Sequence, residues 1–304
     1  MFDLVRTLDC AGRELRLDRA RIAAIVNVTP DSFSGDGRAL ADAAIAHGLK
    51  LAEEGADLLD IGGESTRPGA EPVSADAEIA RVVPVIEALA KRIELPISID
   101  TSKPEVMRAA VAAGAGMIND VYALRRDGAL DAAAEAKVPV VLMHMLGEPR
   151  TMQDDPHYDD VVSDVRRFLA ERIFACEMSG IDKKRIVADP GFGFGKTLEH
   201  NLALLASLDQ LAALGVPLMA GLSRKAMIGA LTGRENRTNS GADRAAGSAA
   251  AAMIAVQKGA AIVRVHDVAA TRDALAVWEG VARGIKPARK DTKPFGSQRF
   301  GDDD

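Results

Sequence analysis

Three polar side chains, Asp100, Asn119 and Asp189, each stand at the end of a short apolar stretch of the sequence. Two carboxylates and one amide offer several hydrogen-bond acceptors and one pair of N–H donors. This combination suits the edge of a flat heterocycle that is rich in N–H groups. We therefore interpret the three residues as candidates for binding a planar ring.

A second group of candidates is cationic. Lys225, Arg264 and His266 also follow apolar stretches, and Arg67 lies in the segment STRPGA. Such donors form charge-assisted hydrogen bonds with phosphate oxygens, so they indicate a phosphate or diphosphate. Asn27 ends the first apolar stretch and, with substrate phosphates, could hold Mg²⁺, an ion that rarely needs an all-protein cage. The combined pattern indicates a planar ring, an anionic leaving group and a metal ion.

The segment DPGFGFGK, residues 189–196, has the glycine content of a phosphate-binding loop but matches neither common pattern. Pro190 stands where the pattern G-x-x-x-x-G-K-[ST] requires its first glycine. Lys196 stands where the dinucleotide-binding pattern G-x-G-x-x-G requires its last one. These patterns therefore leave open what the segment holds.

The elements that must position these residues alternate regularly along the chain. Strands that alternate with helical stretches indicate a parallel sheet, and eight such units in about 260 residues favour a single (β/α)8 (TIM) barrel over an open sheet. The active site of such a barrel forms at the C-terminal ends of its strands, where the polar residues stand. The predicted strands are 22–28, 57–62, 98–100, 117–121, 138–144, 185–189, 217–222 and 261–266.

The barrel is predicted to occupy residues 21–284 as one domain, because no change of composition marks a second one. Residues 1–20 contain two alternating stretches around a turn, and they are predicted to form a β-hairpin that caps the bottom of the barrel. Residues 285–304 are polar and non-periodic, so we expect them to form a disordered tail.

Composition restricts the class of protein. The chain has 304 residues and a formal net charge of −6, which argues against nucleic acid as the main ligand. Cys10 and Cys176 are too few for a disulfide framework or a cysteine metal site, and they fit a reducing compartment. No stretch of about 18 apolar residues is present, so no membrane span is expected. We therefore expect a cytoplasmic protein.

Each polar residue also has a structural interpretation when it is taken alone. Asp100 could cap the following helix, Asn119 and Asp120 are common turn residues, and His144 is interpreted as a structural histidine. A shared site is favoured because all eight predicted strands end in a polar or ionisable group.

Eight segments resemble, in chain order, the motifs of the dihydropteroate synthase family. They cover the chain from residue 22 to about residue 283. The resemblance implies a (β/α)8 transferase that condenses 6-hydroxymethyl-7,8-dihydropterin diphosphate with p-aminobenzoate in folate biosynthesis. The products are 7,8-dihydropteroate and diphosphate, and sulfonamides inhibit the family. It also implies a homodimer built from helices around 242–258 and 268–283. The segments are NVTPDSFS, DIGGESTRPGA, SIDTSKPEV, INDV, LMHM, DPGFGFGK, LSRK and VRVH.

The resemblance implies three groups of site residues. The pterin is expected to contact Asp100, Asn119, Asp189, Lys225, Met143 and Gly221. The diphosphate is expected to face Arg67, Arg264, His266 and Asn27, of which Asn27 is the ligand of Mg²⁺. The p-aminobenzoate is expected to lie against Phe33, Thr66, Arg67, Pro68 and Phe194, and the other substrate-binding candidates are Ser223 and Arg224. The expected catalytic residues are Arg67, Lys225, Arg264 and His266.

The resemblance also gives the segment 189–196 a role. Asp189 reads the pterin edge, the glycines let the backbone turn close to the ligand, and Phe194 forms a wall of the p-aminobenzoate pocket. Lys196 is then expected to be a charge on the loop surface and not a phosphate ligand. The loops 29–38 and 63–73 are expected to be mobile until they close over bound substrates.

Two positions depart from the family pattern. The first loop reads SFSGDG where the family often has SFSDGG, so any role of a carboxylate there shifts to Asp36 or is lost. Ala226 stands where many members have serine, which places the p-aminobenzoate carboxylate against backbone N–H groups.

Two other functions stay open on the sequence. A pterin-binding methyltransferase shares the barrel and the Asp-Asn-Asp contacts, but it does not need the DSFS and STRPGA loops or the pair Arg264 and His266. A catalytically silent paralogue would bind pterin as a regulatory or scaffolding module. Activity measured with both substrates distinguishes the three functions.

Overall fold

The fold is a closed barrel of eight parallel strands. The computed structural model describes residues 7–29, 37–65, 71–148, 151–234 and 242–284. The barrel strands follow one another around the ring in chain order, and the last strand pairs with the first. They are β3 (Arg21–Asn27), β4 (Leu58–Gly62), β5 (Ile97–Asp100), β6 (Met117–Asp120), β7 (Val140–Met143), β8 (Ile186–Asp189), β9 (Leu218–Ala220) and β10 (Ala260–Val265).

The predicted (β/α)8 barrel is therefore confirmed, and each barrel strand ends within two residues of its predicted bounds. Helices surround the strands, and side chains such as Ser74, Asp160 and Thr197 accept backbone N–H groups where three of them begin. The helices are α1 (Gly37–Glu53), α2 (Ala75–Ala90), α3 (Pro104–Ala112), α4 (Ala129–Ala136), α5 (Val161–Met178), α6 (Leu198–Ala206), α7 (Ala226–Thr232), α8 (Ala245–Gln257) and α9 (Val268–Arg283).

Alternation along the strands divides the apolar residues into two layers. Ile22 and its equivalents point outward and pack against the helices in the larger core. Neighbouring strand residues point inward instead, because successive side chains of a strand face opposite sides. The inward residues fill the N-terminal half of the barrel interior, and they are Ala23, Leu58, Met117, Val141, Val187, Met219 and Ile262.

The N-terminal hairpin closes the bottom of this interior. Strands β1 (Thr7–Cys10) and β2 (Arg13–Arg16) are antiparallel, and Ala11 and Gly12 form their turn with φ of 55° and 86°, as a two-residue hairpin turn requires. The buried side chains of Leu8, Cys10 and Leu15 pack against the inward barrel residues. The hairpin predicted from the alternating pattern is therefore confirmed.

Asp57 links the bottom of the barrel to the elements around it. Its carboxylate accepts hydrogen bonds from Arg19 at 2.5 Å, from Arg21 and Arg272 at 3.1 Å, and from the Ile22 amide at 2.9 Å. Burial alone would raise the pKa of Asp57, but the Ile22 amide and the Arg19 guanidinium hold that pKa below its ordinary value.

Several predictions fall on residues that the structure does not describe. These are the tail 285–304, most of the first loop, and residues 66–70 of the second loop. The prediction that the two loops are mobile concerns the same residues. Within the described residues, no helix is long and apolar enough to span a bilayer. Both cysteines are free and buried.

Candidate active site

The polar residues form one layer above the apolar floor of the barrel. Most of them stand two positions further along the chain than an inward apolar residue, and Asp100 stands two positions after the buried Ser98, so they face the same interior. Asp189 follows Val187 in this way, and Arg264 follows Ile262. The layer lies at the C-terminal ends of the strands, where barrel enzymes place their active sites. Its other polar members are Asp60, Asp100 and Asn119, and Met143 and Gly221 lie at the same level.

Arg264 connects two carboxylates in this layer. Its Nε donates to Oδ2 of Asp60 at 2.5 Å, and its Nη2 donates to Oδ2 of Asp100 at 2.6 Å. Nδ2 of Asn119 donates to the same Asp60 oxygen at 3.1 Å. Four predicted or newly found polar side chains therefore form one network across the barrel interior.

Asp60 is the member of this network that the sequence analysis missed. It is buried, and its Oδ1 has no hydrogen-bond partner among the described residues. A buried acceptor of this kind normally has a partner, so this oxygen is a candidate acceptor for a ligand. Asp60 was missed because it lies inside β4 and not at its end. It stands two positions after the inward residue Leu58, and this alternation places it on the inward face, which could have revealed it.

The environment shifts the pKa of Asp100 and that of its partner Arg264. Burial raises the pKa of Asp100 to about 7, with Asp60 and Glu78 adding to the rise and Arg264 opposing it. Asp100 does not cap the next helix, because α3 begins after Lys103. For Arg264, burial acts against the charged form, but Asp60 and Asp100 raise its pKa above the ordinary value. The guanidinium therefore keeps its charge.

Asp189 ends β8 on the other side of the interior. Its Oδ1 accepts the Gly191 amide at 2.7 Å. Burial raises the pKa of Asp189 to about 6, while the Gly191 amide and Lys225 oppose the rise. The Lys225 ammonium lies 4.1 Å from the centre of the Phe194 ring, a cation–π distance. The structure thus brings Asp189, Lys225 and Phe194 together.

The glycines of the segment 189–196 have positive φ angles and close neighbours. Gly191 has a φ of 67° and Gly195 one of 61°. A Cβ on Gly191 would lie 1.8 Å from the His144 carbonyl oxygen, and one on Gly195 would lie 2.6 Å from that of Leu146. The segment therefore needs glycine for its conformation and for its approach to the end of β7.

The prediction for Lys196 was wrong. Its side chain is 3% exposed, and Nζ lies 2.9 Å from Nδ1 of His144, 2.9 Å from the Gly191 oxygen and 3.1 Å from the Phe194 oxygen. A lysine that ends a glycine-rich loop is usually solvated, but here the loop folds back over the end of β7 and encloses it. His144 is buried beside Phe168, with ring centroids 4.9 Å apart.

Ser223, Arg224 and Lys225 form a turn that precedes α7. Ser223 Oγ accepts the His266 amide at 3.1 Å and lies 3.1 Å from His266 Nδ1. Arg224 has a φ of 58°, and its guanidinium binds both carboxylate oxygens of Asp267, at 3.0 and 2.6 Å. The turn is therefore fixed from β10 and from the start of α9. Ala226 is exposed at the first position of α7.

A partly buried ion cluster lies beside the end of β4. Lys103 Nζ donates to Glu64 at 2.8 Å and to Glu78 at 2.5 Å. The other Glu64 oxygen accepts the Val73 amide at 2.8 Å, so Glu64, at the start of the second loop, binds the end of the same loop. Burial raises the pKa of Glu78, and Lys103 opposes this rise.

The remaining predicted residues are distributed as follows. Met143 is buried with Phe194 in a small apolar cluster, and a Cβ on Gly221 would lie 3.9 Å from both Arg264 and Asp189. Asn27 is half-buried at the end of β3. In the described ranges no three His, Cys, Asp or Glu side chains are arranged to hold a metal. The candidates that lie outside the described residues are Phe33, Asp36, Thr66, Arg67 and Pro68.

Asp120 has a structural place and not one in the interior layer. Its carboxylate accepts hydrogen bonds from the Ser102 hydroxyl, from the Tyr122 amide at 2.8 Å and from the Leu124 amide at 2.8 Å. These contacts organise the turn after β6, in agreement with the interpretation of Asp120 as a turn residue.

Comparison with known proteins agrees with this geometry. A family model described as pterin binding enzyme matches residues 23–266. The dihydropteroate synthase of Escherichia coli strain K12 is 50% identical over 271 residues, which cover 88% of this chain and 94% of that protein.

Two solved structures are similar over nearly their whole length. One is Xanthomonas albilineans dihydropteroate synthase with 4-aminobenzoic acid, at 63% identity and a TM-score of 0.86, covering 92% of this chain and 99% of that one. The other is Yersinia pestis dihydropteroate synthase in a sulfonamide drug complex, at 46% identity and a TM-score of 0.86, covering 92% and 100%. The chain therefore belongs to the dihydropteroate synthase family of pterin-binding enzymes, as its eight motifs predicted.

Proposed function

We propose that this protein condenses 6-hydroxymethyl-7,8-dihydropterin diphosphate with p-aminobenzoate to form 7,8-dihydropteroate and diphosphate. The observation that carries the proposal is the interior layer, in which Asp60, Asp100, Asn119 and Asp189 face Arg264 and Lys225. Family membership supports the same reaction.

The carboxylates and the amide of the layer suit the pterin ring. Ring N–H and amino groups would donate to Asp189 and to the open Oδ1 of Asp60, and Asn119 would supply the complementary amide. Negative charge around the ring also favours a positive charge that develops on it. The chain's own residues therefore stabilise the ring as diphosphate departs and a delocalised cation forms.

The departing diphosphate would meet cationic side chains at the rim of the barrel. Lys225 and His266 follow the C-terminal ends of β9 and β10. Arg67 would face the diphosphate, as the family resemblance implies. Asn27 would hold Mg²⁺ together with the substrate phosphates, and the ion, when bound, supplies positive charge against the leaving group. A single amide oxygen fits this arrangement because the substrate completes the coordination.

The amine of p-aminobenzoate would then attack the cationic carbon from a pocket beside Phe194. Phe194 is buried, and the ammonium of Lys225 lies over its ring, so the pocket wall is tied to the pterin side of the site. The same pocket is where we propose that sulfonamides bind.

Arg67→Ala should greatly reduce turnover while the affinity for the pterin changes little, since Arg67 acts on the charge of the departing diphosphate.

We also propose a cytoplasmic homodimer. Ile254 on α8 and Val277 and Val281 on α9 are exposed, the last at 81%, whereas Val256 and Leu275 on the same helices face the barrel and are buried. Exposed apolar side chains on adjacent helices favour an interface. Two free cysteines fit a reducing compartment.

The test of the reaction is an assay of the purified protein with both substrates and Mg²⁺, combined with calorimetric titration of the pterin diphosphate. We expect product that requires both substrates, and we expect Asp189→Ala to abolish pterin-diphosphate binding in a folded protein. Binding without turnover would identify a catalytically silent pterin-binding protein. Unchanged affinity in Asp189→Ala would contradict the placement of the pterin.

A further inference from the structure

The Lys196 ammonium is a buried charge that the proposed reaction does not use. Its three acceptors, the His144 Nδ1 and the carbonyl oxygens of Gly191 and Phe194, match its three N–H groups in number. The side chain is almost fully enclosed. Lys196 is therefore placed to hold protein groups and not a substrate.

The segment that Lys196 holds depends on side chains for its backbone hydrogen bonds. Gln153 donates to the Gly193 oxygen and Tyr158 to the Gly195 oxygen, each at 2.7 Å. Lys196 differs from these two because one group binds two carbonyls, at the start and near the end of the segment. It also joins both to the end of β7 through His144.

Phe194 is the part of the segment that this linkage fixes most directly. Its carbonyl is bound by Lys196, and its ring belongs to a buried apolar cluster with Met143, Met145 and Met152. Asp189, in contrast, is held by the sheet, because its carbonyl accepts the His144 amide at 2.9 Å. Loss of the Lys196 donors should therefore displace Phe194 more than Asp189.

Burial acts on both partners of the contact between Lys196 and His144. Burial lowers the pKa of Lys196 to about 7, and Lys225 adds to this decrease while Asp189 opposes it. Burial, with the nearby Lys196 charge, lowers the pKa of His144 to about 2. His144 is therefore neutral and accepts at Nδ1.

We infer that Lys196 is a positioning residue that sets the place of Phe194 and, through it, the binding of the aromatic amine substrate. The inference rests on the proposed function, because Phe194 is the wall of the p-aminobenzoate pocket. No direct contact of Lys196 with either substrate is required.

The main test is Lys196→Met, which keeps an unbranched side chain and removes the three donors. We expect the KM for p-aminobenzoate to rise roughly tenfold, as for the loss of one or two hydrogen bonds. The affinity for pterin diphosphate should change less than about threefold. Lys184→Met is the matched control, because Lys184 is exposed beside β8. The inference is overturned if Lys196→Met leaves the KM for p-aminobenzoate unchanged. It is also overturned if the variant raises this KM and the Kd for pterin diphosphate by the same factor.

A double-mutant cycle separates positioning from a general loss of stability. In a Phe194→Ala background, Lys196→Met should have little further effect on the KM, because the group that it positions is gone. Additive effects would assign Lys196 to overall stability. Should Lys196→Met not fold, Lys196→Gln keeps one donating amide and takes its place in both measurements.

Amide hydrogen exchange tests the inference without any assay of turnover. The amides of Gly193 and Phe194 should exchange faster in Lys196→Met than in the wild type or in Lys184→Met. Unchanged exchange contradicts the positioning role whether or not the protein is active. An inactive wild type with faster exchange in the variant would instead overturn only the proposed reaction.

Discussion

Arg264 and Asp60 are joined by a hydrogen bond of 2.5 Å although 204 positions separate them in the chain. The contact crosses the barrel interior past β3, because β10 and β4 flank that strand. It occupies one oxygen of Asp60 and leaves the other without a partner among the described residues. The ion pair therefore leaves Asp60 one acceptor without a protein partner in the described part of the chain, in addition to neutralising a buried charge.

Asp60→Asn should reduce the affinity for pterin diphosphate at least tenfold, because a carboxylate oxygen that accepts from the ring is lost. Both Asp60→Asn and Asp120→Asn should lower thermal stability, the first because Arg264 then keeps only the Asp100 carboxylate, but only Asp60→Asn should lower the affinity. An amide at position 120 cannot accept at both of its ends, so it leaves the Leu124 or the Tyr122 amide unpaired. Calorimetry and thermal unfolding of the two variants check this division. An Asp60→Asn protein with normal affinity would remove Asp60 from the site.

Binding of pterin diphosphate should weaken in acid because of Asp189. Burial raises the pKa of this carboxyl to about 6, so it loses its charge and one acceptor as the pH falls through that value. We expect roughly tenfold weaker binding at one pH unit below the pKa than above it. Titrations between pH 5 and 8 measure this, and Asp189→Asn serves as the control for the titration of the ligand itself. An equal acid loss in both proteins would assign the effect to the ligand or to Asp100, whose pKa burial raises to about 7.

The barrel was predictable because most of its strands are short apolar stretches that are buried on both faces. Most of the site followed from position, since polar residues at strand ends converge in a barrel. Asp60 was missed because it lies within β4. Lys196 was predicted wrongly because its burial depends on His144, 52 positions earlier, and sequence spacing does not encode that contact. The bidentate pair of Arg224 with Asp267 could not be predicted for the same reason, because the two residues belong to separate elements of the chain.

Gly191→Ala should destabilise the protein far more than Gly12→Ala, although both glycines have positive φ. A Cβ at position 12 meets nothing within 4 Å, so only the left-handed strain of about 1–2 kcal/mol applies. At position 191 the Cβ would collide with the His144 oxygen, and overpacking raises the loss to about 3 kcal/mol or more. Chemical denaturation gives both values. Equal losses would show that the loop can move away from β7.

The protein should be a dimer in light scattering at micromolar concentration. Val277→Glu, at an exposed position of α9, should shift the equilibrium toward monomer because it places a charge in an apolar interface. Asp273→Ala on the same helix is a control for changes of helix charge. A monomeric wild type would count against the proposed interface.

Asp57→Asn should lower the free energy of unfolding by about 3 kcal/mol near neutral pH, because it leaves the charges of Arg19, Arg21 and Arg272 without their shared carboxylate. The pKa of Asp57 is below its ordinary value in the folded protein, so the carboxylate stabilises the fold above the unfolded pKa of about 3.9. This contribution is lost as the pH falls through the folded pKa. The difference between wild type and variant should therefore stay constant down to about pH 5 and shrink below about pH 4. Denaturation at several pH values checks this, with the exposed Asp209→Asn as control. A difference that does not change with pH would mean that Asp57 acts by packing and not by its charge.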